Sequence, residues 1–231
     1  MPWFDDGRAW DNRRNPLRVM ADAPASPHST ELRTQFGELD IYLFDQLLRG
    51  RFDGRRRVLD AGCGDGRNLV YLLQRGVECF GVDRDEAAIA AMRRLAATRA
   101  PALHESHFRV ADLTRLPFAD GSMDAVICSA VLHFADDEAE WEAMVSETWR
   151  VLAGGGLFFA RLASNIGLES QLGHSPGRMR LPDGSTRFVV TEALLIAWTT
   201  RLGGRLVDPI KTTNVQQMRA MTTWVVEKPD H

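Results

Sequence analysis

Three glycines, Gly62, Gly64 and Gly66, stand two apart directly after a short apolar run, Arg57 to Ala61, and just before a helix expected near Arg67. Strand, glycine turn and helix together present backbone N–H groups to a ligand. Glycine suits such a turn because it reaches positive φ freely and holds no side chain against the ligand. The spacing narrows the ligand. A dinucleotide fingerprint, G-x-G-x-x-G, needs its third glycine at position 67, and that residue is Arg67. The spacing therefore argues against a NAD-dependent oxidoreductase. Acidic residues recur where later strands should end. Asp60 ends the first strand, Asp83 the second, 23 residues on (83 − 60), and Asp112 the third. A carboxylate about 20 residues past a glycine turn can accept both hydroxyls of a ribose. A helix cap is the other role open to Asp83, but Asp85 already fits that place. Asp112 beside Leu113 suits adenine, the carboxylate for its amine and the leucine for its ring face; a turn-forming Asp is the competing role. Ser129 ends the fourth strand, beside the place for a reactive group. His133 follows as a candidate general base, since imidazole accepts a proton near neutral pH. Packing under Phe134 at a helix start is the competing role. Arg161 ends the fifth strand and suits either an anionic substrate or a surface ion pair.

These residues need a scaffold, and the pattern supplies one. From Arg57 the chain alternates strand and helix. Strands are expected at 57–61, 78–83, 107–111, 123–129 and 157–163. Met123 to Ser129 is a near-continuous apolar run of the kind buried on both faces. Between them, Asp85 caps one helix and Asp136 opens another carrying Trp141, Met144, Val145 and Trp149 on one face. Such alternation implies a parallel sheet covered on both sides. A helix from Glu31 to Leu48 precedes it, with Leu32, Phe36, Leu39, Leu43 and Leu47 in an apolar stripe that Gly37 weakens locally. Phe36 and Tyr42 on that helix either cover a bound ligand or pack in the core. Residues 164–188 break the alternation and read as an insertion with a Pro182-Asp183-Gly184 turn. A last helix starts at Thr191 and stops at Gly203-Gly204. Two strands, 205–210 and 221–227, close the chain. Their short connection has no room for a crossover helix, so the last should run antiparallel beside strand five.

Together these residues resemble the class I S-adenosylmethionine (SAM) dependent methyltransferases, of the type 11/25 kind, closely over Val58 to Ala163. The run Asp60-Ala61-Gly62-Cys63-Gly64-Asp65-Gly66 is similar to that family's first motif. Leu116-Pro117-Phe118, Gly121-Ser122-Met123-Asp124 and Val151-Leu152-Ala153-Gly154-Gly155-Gly156 are typical of it too. Two departures stand in the last run: Ala153 replaces a lysine or arginine, and Gly154 a proline. A narrower similarity, at Gly66 to Leu72, is to tellurite-resistance-type methyltransferases. The resemblance implies a Rossmann-like, doubly wound α/β sheet of seven strands, the last antiparallel, and SAM as cofactor. It implies that Asp60, Gly62 and Gly64 hold the methionine end, Asp83 the ribose and Asp112 with Leu113 the adenine. Arg84 and Ser129 count with them as cofactor-binding positions. The implied reaction is in-line methyl transfer to a small-molecule acceptor that the sequence does not identify. A SAM-binding regulatory module without turnover, and a nucleic-acid methyltransferase, are the alternatives.

Composition sets outer limits. The chain has 231 residues, enough for one α/β domain over 29–231 behind a loose, proline-bearing arm at 1–28. A formal net charge of −3 gives no electrostatic case for nucleic acid. No stretch approaches the roughly 20 apolar residues of a membrane span. Three cysteines, Cys63, Cys79 and Cys128, are an odd count and fit reduced thiols in a cytoplasmic protein. Neither they nor His104, His107 and His174 have ligand spacing, so no metal is expected. The oligomeric state is not legible.

Overall fold

The computed structural model describes residues 27–230. The arm expected over 1–28 lies outside the described residues except at its end, where Pro27 and His28 already belong to a helix. Along the chain the elements are α1 (Pro27–Phe36), α2 (Ile41–Leu48), β1 (Arg57–Ala61), α3 (Val70–Gln74), β2 (Glu78–Asp83), α4 (Glu86–Arg99), β3 (Phe108–Val110), β4 (Met123–Ser129), α5 (Glu138–Val151) and β5 (Leu152–Ser164). There follow α6 (Glu169–Leu172), β6 (Gly177–Arg180), β7 (Thr186–Val189), α7 (Glu192–Arg201), β8 (Arg205–Leu206), β9 (Lys211–Val215) and β10 (Arg219–Glu227).

The main sheet runs β3-β2-β1-β4-β5-β10-β8, with β9 also paired to β10. The first five strands are parallel to one another. β10 lies antiparallel between β5 and β8, as the short connection requires. Order and direction follow the expected pattern, with one strand more. β9 is the addition: the segment read as a connection pairs with β10 as a hairpin, Val215 opposite Arg219. Its turn places Gln216 and Gln217 at φ 51° and 58°, the two positive values a tight hairpin turn needs. Neither residue is glycine or asparagine, and β9 is polar, so sequence pattern does not announce it. β8 is also shorter than expected, and Pro209 follows it closely.

The N-terminal helix expected over Glu31 to Leu48 is two helices. Gly37, at φ +66°, ends α1, and Asp40 caps α2 by accepting from the Tyr42 N–H at 2.9 Å. The leucine stripe continues across the break, so periodicity alone hides it. A Cβ on Gly37 would stand 2.8 Å from Val70 Cγ2, and that close approach sets α1 against the turn leading into α3.

Side chains of β4 alternate between two cores. Ala125 and Ile127 face a layer with Leu43, Leu72 and Ile89. Val126 and Cys128 face a layer with Trp141, Trp198 and Trp224. Burying the sheet on both faces leaves only its ends for a ligand. Segment 164–188 contributes α6 and the β6–β7 hairpin, a separate two-stranded sheet closed through Leu181 to Gly184. Its chain returns to the main body at Val190, which bridges Ser164 at the end of β5.

Candidate active site

At the carboxyl ends of β1, β2 and β4 the chain encloses a cavity of about 710 Å3. Gly62 and Gly64 form one wall, both at positive φ. Their roles differ. A Cβ on Gly62 would meet Val131 Cγ2 at 2.3 Å, so this glycine lets the segment after β4 close on the turn. A Cβ on Gly64 would meet nothing within 4 Å; it would stand in the cavity.

Asp83 sits half-buried where β2 ends. Its Oδ2 accepts from the Gly64 N–H at 2.9 Å and its Oδ1 from the Asp85 N–H at 3.0 Å. A carboxylate oxygen offers more than one acceptor site, so both remain able to accept from a ligand. The same carboxylate thus ties the glycine turn to the start of α4, while Asp85 caps that helix through Ala87, as expected. Arg84 lines the cavity beside it. Asp112 lies across from these, with Leu113 buried next to it. Thr114 donates to Asp112 Oδ1 from its hydroxyl at 2.6 Å and its N–H at 2.8 Å. Those bonds, with a contribution from Arg84, hold the Asp112 carboxyl below the usual range. Oδ2 accepts no bond among the described residues, leaving it for a donor in the cavity.

Ser129 also lines the cavity, yet its hydroxyl donates to Asp40 Oδ2 at 3.0 Å. Asp60 does not line it. That side chain is fully buried on the α2–α4 side of β1, and neither oxygen has a hydrogen-bond partner among the described residues. Burial raises its carboxyl to about 7, against the pull of Arg67 and Asn68. The Cys63 thiol, in the glycine turn, is buried and pushed well up by desolvation, then by Asp60 and Asp83; it is no ready nucleophile. Among the described residues no group of three His, Cys, Asp or Glu side chains is placed to hold a metal.

A second cavity, of about 300 Å3, adjoins the first and shares Arg67 and Ala130 with it. Ala130 is held at φ +64°, a sparsely populated conformation for a residue with a side chain, and its N–H donates to Arg161 O. Leu39, Asp40 and Ile41 line this cavity from the N-terminal side, Leu181, Asp183 and Arg187 from the 164–188 segment, and Arg219 from β10. His133 lies here, not in the first cavity. It is 5% exposed, with Nδ1 unbonded among the described residues. Burial lowers its imidazole to about 3, helped by the charges of Arg187, Arg161 and Arg219.

Asp40 joins the two cavities. Beyond capping α2, it accepts from Ser129 Oγ and from Arg161 Nη1 at 3.2 Å, and its N–H donates to Asn68 Oδ1. Arg161 also lies over the Tyr42 ring at 4.8 Å, and the Tyr42 hydroxyl pairs with Thr213. Phe36 stacks on Tyr71. Neither Phe36 nor Tyr42 lines the first cavity. Sequence reasoning missed Asp40, Arg187 and Arg219. Only Asp40 carried a signal, as a capping residue three after a glycine.

The residues present fit SAM: an open cradle at Gly64, a carboxylate at Asp83 for a diol, and an acceptor and apolar pair at Asp112 and Leu113. A family described as methyltransferase domain matches residues 59–160. A probable SAM-dependent methyltransferase of Mycolicibacterium smegmatis is 33% identical over 123 residues, 53% of this chain and 42% of that protein. One from Mycobacterium tuberculosis is 32% identical over 171 residues, 71% of this chain and 56% of that protein. The chain spans about half the length of these curated relatives. The crystal structure of a SAM-dependent methyltransferase from Methanosarcina mazei shares the fold at a TM-score of 0.61 and 22% identity, covering 80% of this chain and 98% of that one. The methyltransferase domain over residues 59–160, the motifs and these relatives support a class I SAM-dependent methyltransferase with SAM as its cofactor, and the Methanosarcina structure shares its fold.

Proposed function

We propose that this chain is an enzyme that moves the methyl group of SAM to a small-molecule acceptor. One observation carries the reading: the cavity at the strand ends shares Ala130 and Arg67 with a smaller cavity lined by unrelated parts of the chain. Bound SAM supplies a methyl group already activated by its sulfonium. The protein's part is to position the reactants and exclude water, which suits two adjoining cavities and in-line displacement. Asp83 holds the ribose, Asp112 and Leu113 the adenine, and Gly62 and Gly64 the methionine end, with Arg84 and Ser129 alongside. Asp60, beneath the turn, acts through Arg67 and Asn68 and not by contact.

The acceptor lies in the second cavity. An acceptor lone pair forms the new bond to the methyl carbon, and the carbon–sulfur pair stays on sulfur. His133, which lines that cavity, is our candidate to take a proton from a protic acceptor. With its imidazole lowered to about 3 it is a weak base until negative charge offsets the surrounding arginines. Residues 29–231 act as one methyltransferase domain with 164–188 as its specificity insertion. No described helix is long and apolar enough to cross a membrane, and the three free, buried cysteines suit a reducing, cytoplasmic setting.

The test is formation of S-adenosylhomocysteine by purified protein with SAM against hydroxyl, amine, thiol and oxyanion acceptors. Turnover with one small-molecule class supports the reading. SAM binding without turnover on any class favours the regulatory module, and turnover on nucleic acid alone would refute a small acceptor.

A further inference from the structure

Four arginines converge on the second cavity. Arg67, Arg161, Arg187 and Arg219 line it beside two carboxylates, Asp40 and Asp183. Both carboxylates are engaged. Asp183 accepts from Ser185 Oγ at 2.6 Å and Ser185 N at 2.9 Å, closing its own turn. Asp40 serves Tyr42, Ser129 and one nitrogen of Arg161. Among the described residues Arg161 Nε is buried without a partner, and the Arg219 guanidinium forms no hydrogen bond or ion pair. Beside them His133, 5% exposed, presents an unbonded Nδ1. Burying a polar or charged group costs free energy unless it is paired, so donors gathered in a concave site favour a ligand that brings acceptors. Guanidinium groups match carboxylate and phosphate oxygens in shape and charge.

We propose that the second cavity is the acceptor site and recognises the anionic group of a small acceptor, a carboxylate or a phosphate monoester, through Arg219 and Arg161. Arg187 adds its charge from β7. The anion sits at the end of the cavity away from the cofactor, and the atom that receives the methyl group lies toward Ala130. The volume, about 300 Å3, is at the small end for ligand sites and admits a compact acceptor. The proposal rests on the methyltransferase reading above. Of the groups facing His133, Arg187, Arg161 and Arg219 come from β7, β5 and β10; an anion among them offsets the charges that oppose protonation.

The test uses the full chain saturated with S-adenosylhomocysteine and titrated with benzoate, phenyl phosphate and neutral benzamide. Binding is followed by calorimetry and by NMR of the His133 ring. At least one anion should bind saturably, at least tenfold more tightly than benzamide, and shift the His133 titration upward. Benzoate alone marks a carboxylate acceptor, phenyl phosphate alone a phosphate. Arg219→Gln should weaken that anion about tenfold or more, the scale of one charge-assisted hydrogen bond, and Arg219→Lys should keep part of the affinity. Neither anion binding, benzamide binding equally well, or an unchanged anion affinity in Arg219→Gln would each overturn the proposal. The two readings fail separately. Loss of S-adenosylhomocysteine binding by the native protein defeats the methyltransferase reading, whereas a negative anion titration on a protein that binds it defeats only the anionic acceptor.

Discussion

Replacing Asp83 by Ala removes a carboxylate that does two things. In the proposed complex it accepts from both ribose hydroxyls, and in the free protein it accepts from the N–H groups of Gly64 and Asp85. A hydrogen bond to a charged group contributes roughly 1.5–3 kcal/mol net, and about 1.4 kcal/mol is tenfold in affinity. Losing one such bond therefore weakens binding about 10- to 150-fold. The two ribose bonds share one carboxylate and do not simply add, so the expected loss is on the order of 10²-fold. The sequence alone gives no reason for a change in stability, but the two backbone bonds do. Asp83 is half-buried and water can reach part of the vacated space, so the cost should be roughly 1–2 kcal/mol. For a protein of this size that is about 2–8 °C in melting temperature. Asp83→Asn keeps one acceptor oxygen and should fall between the two. Calorimetry with S-adenosylhomocysteine below the melting range reads the affinity, and urea unfolding of the free protein reads the stability. Unchanged affinity in Asp83→Ala would refute the ribose assignment. Unchanged stability would refute the role of its backbone bonds.

Other expectations follow from the same geometry. Gly64→Val should fold with a modest loss, since only its φ of +53° opposes the change, but should lose cofactor binding because the side chain fills the cradle. Gly62→Ala should instead lower stability through its clash with Val131, visible as a lower melting temperature. His133, depressed from the ordinary 6.5 to about 3, favours its neutral form in the fold; its contribution to stability is present above about 6.5 and is lost as pH falls toward 3. Asp60, raised to about 7, acts in the opposite sense: its contribution is present below about 4 and is lost as pH rises through 7. Urea unfolding from pH 4 to 8 should thus show His133→Asn closing on the native protein at low pH and Asp60→Asn gaining on it at high pH; parallel curves would contradict both. Replacing residues 164–188 by a short linker should abolish turnover on an identified acceptor and leave S-adenosylhomocysteine binding intact; retained turnover would remove that segment from the acceptor site.

The parts legible in the sequence are those set by short-range pattern. β1, β2 and β4 have the bounds their apolar runs and flanking glycines or acids imply, because burial on both faces leaves little room for other residues. Asp83 and Asp112 fall in the cavity because a strand end is a fixed place in a parallel sheet. Legibility fails where long-range packing decides. The break at Gly37 depends on Val70, and β9 depends on the edge that β10 offers. Asp60 belongs to the glycine motif, yet the pleat of β1 turns it away from the cavity. Arg187 and Arg219 are far apart in sequence and converge only through the β6–β7 hairpin and the antiparallel last strand. No spacing rule links them.

The most direct test of the account is a calorimetric titration of the full chain with S-adenosylhomocysteine, run beside an identical titration with NAD. The glycine spacing, the open cradle at Gly64 and the acids at Asp83 and Asp112 predict saturable one-to-one binding of S-adenosylhomocysteine and none of NAD. Binding of NAD in its place, or of neither, would contradict the assignment of the strand-end cavity and with it the methyl transfer proposed from it.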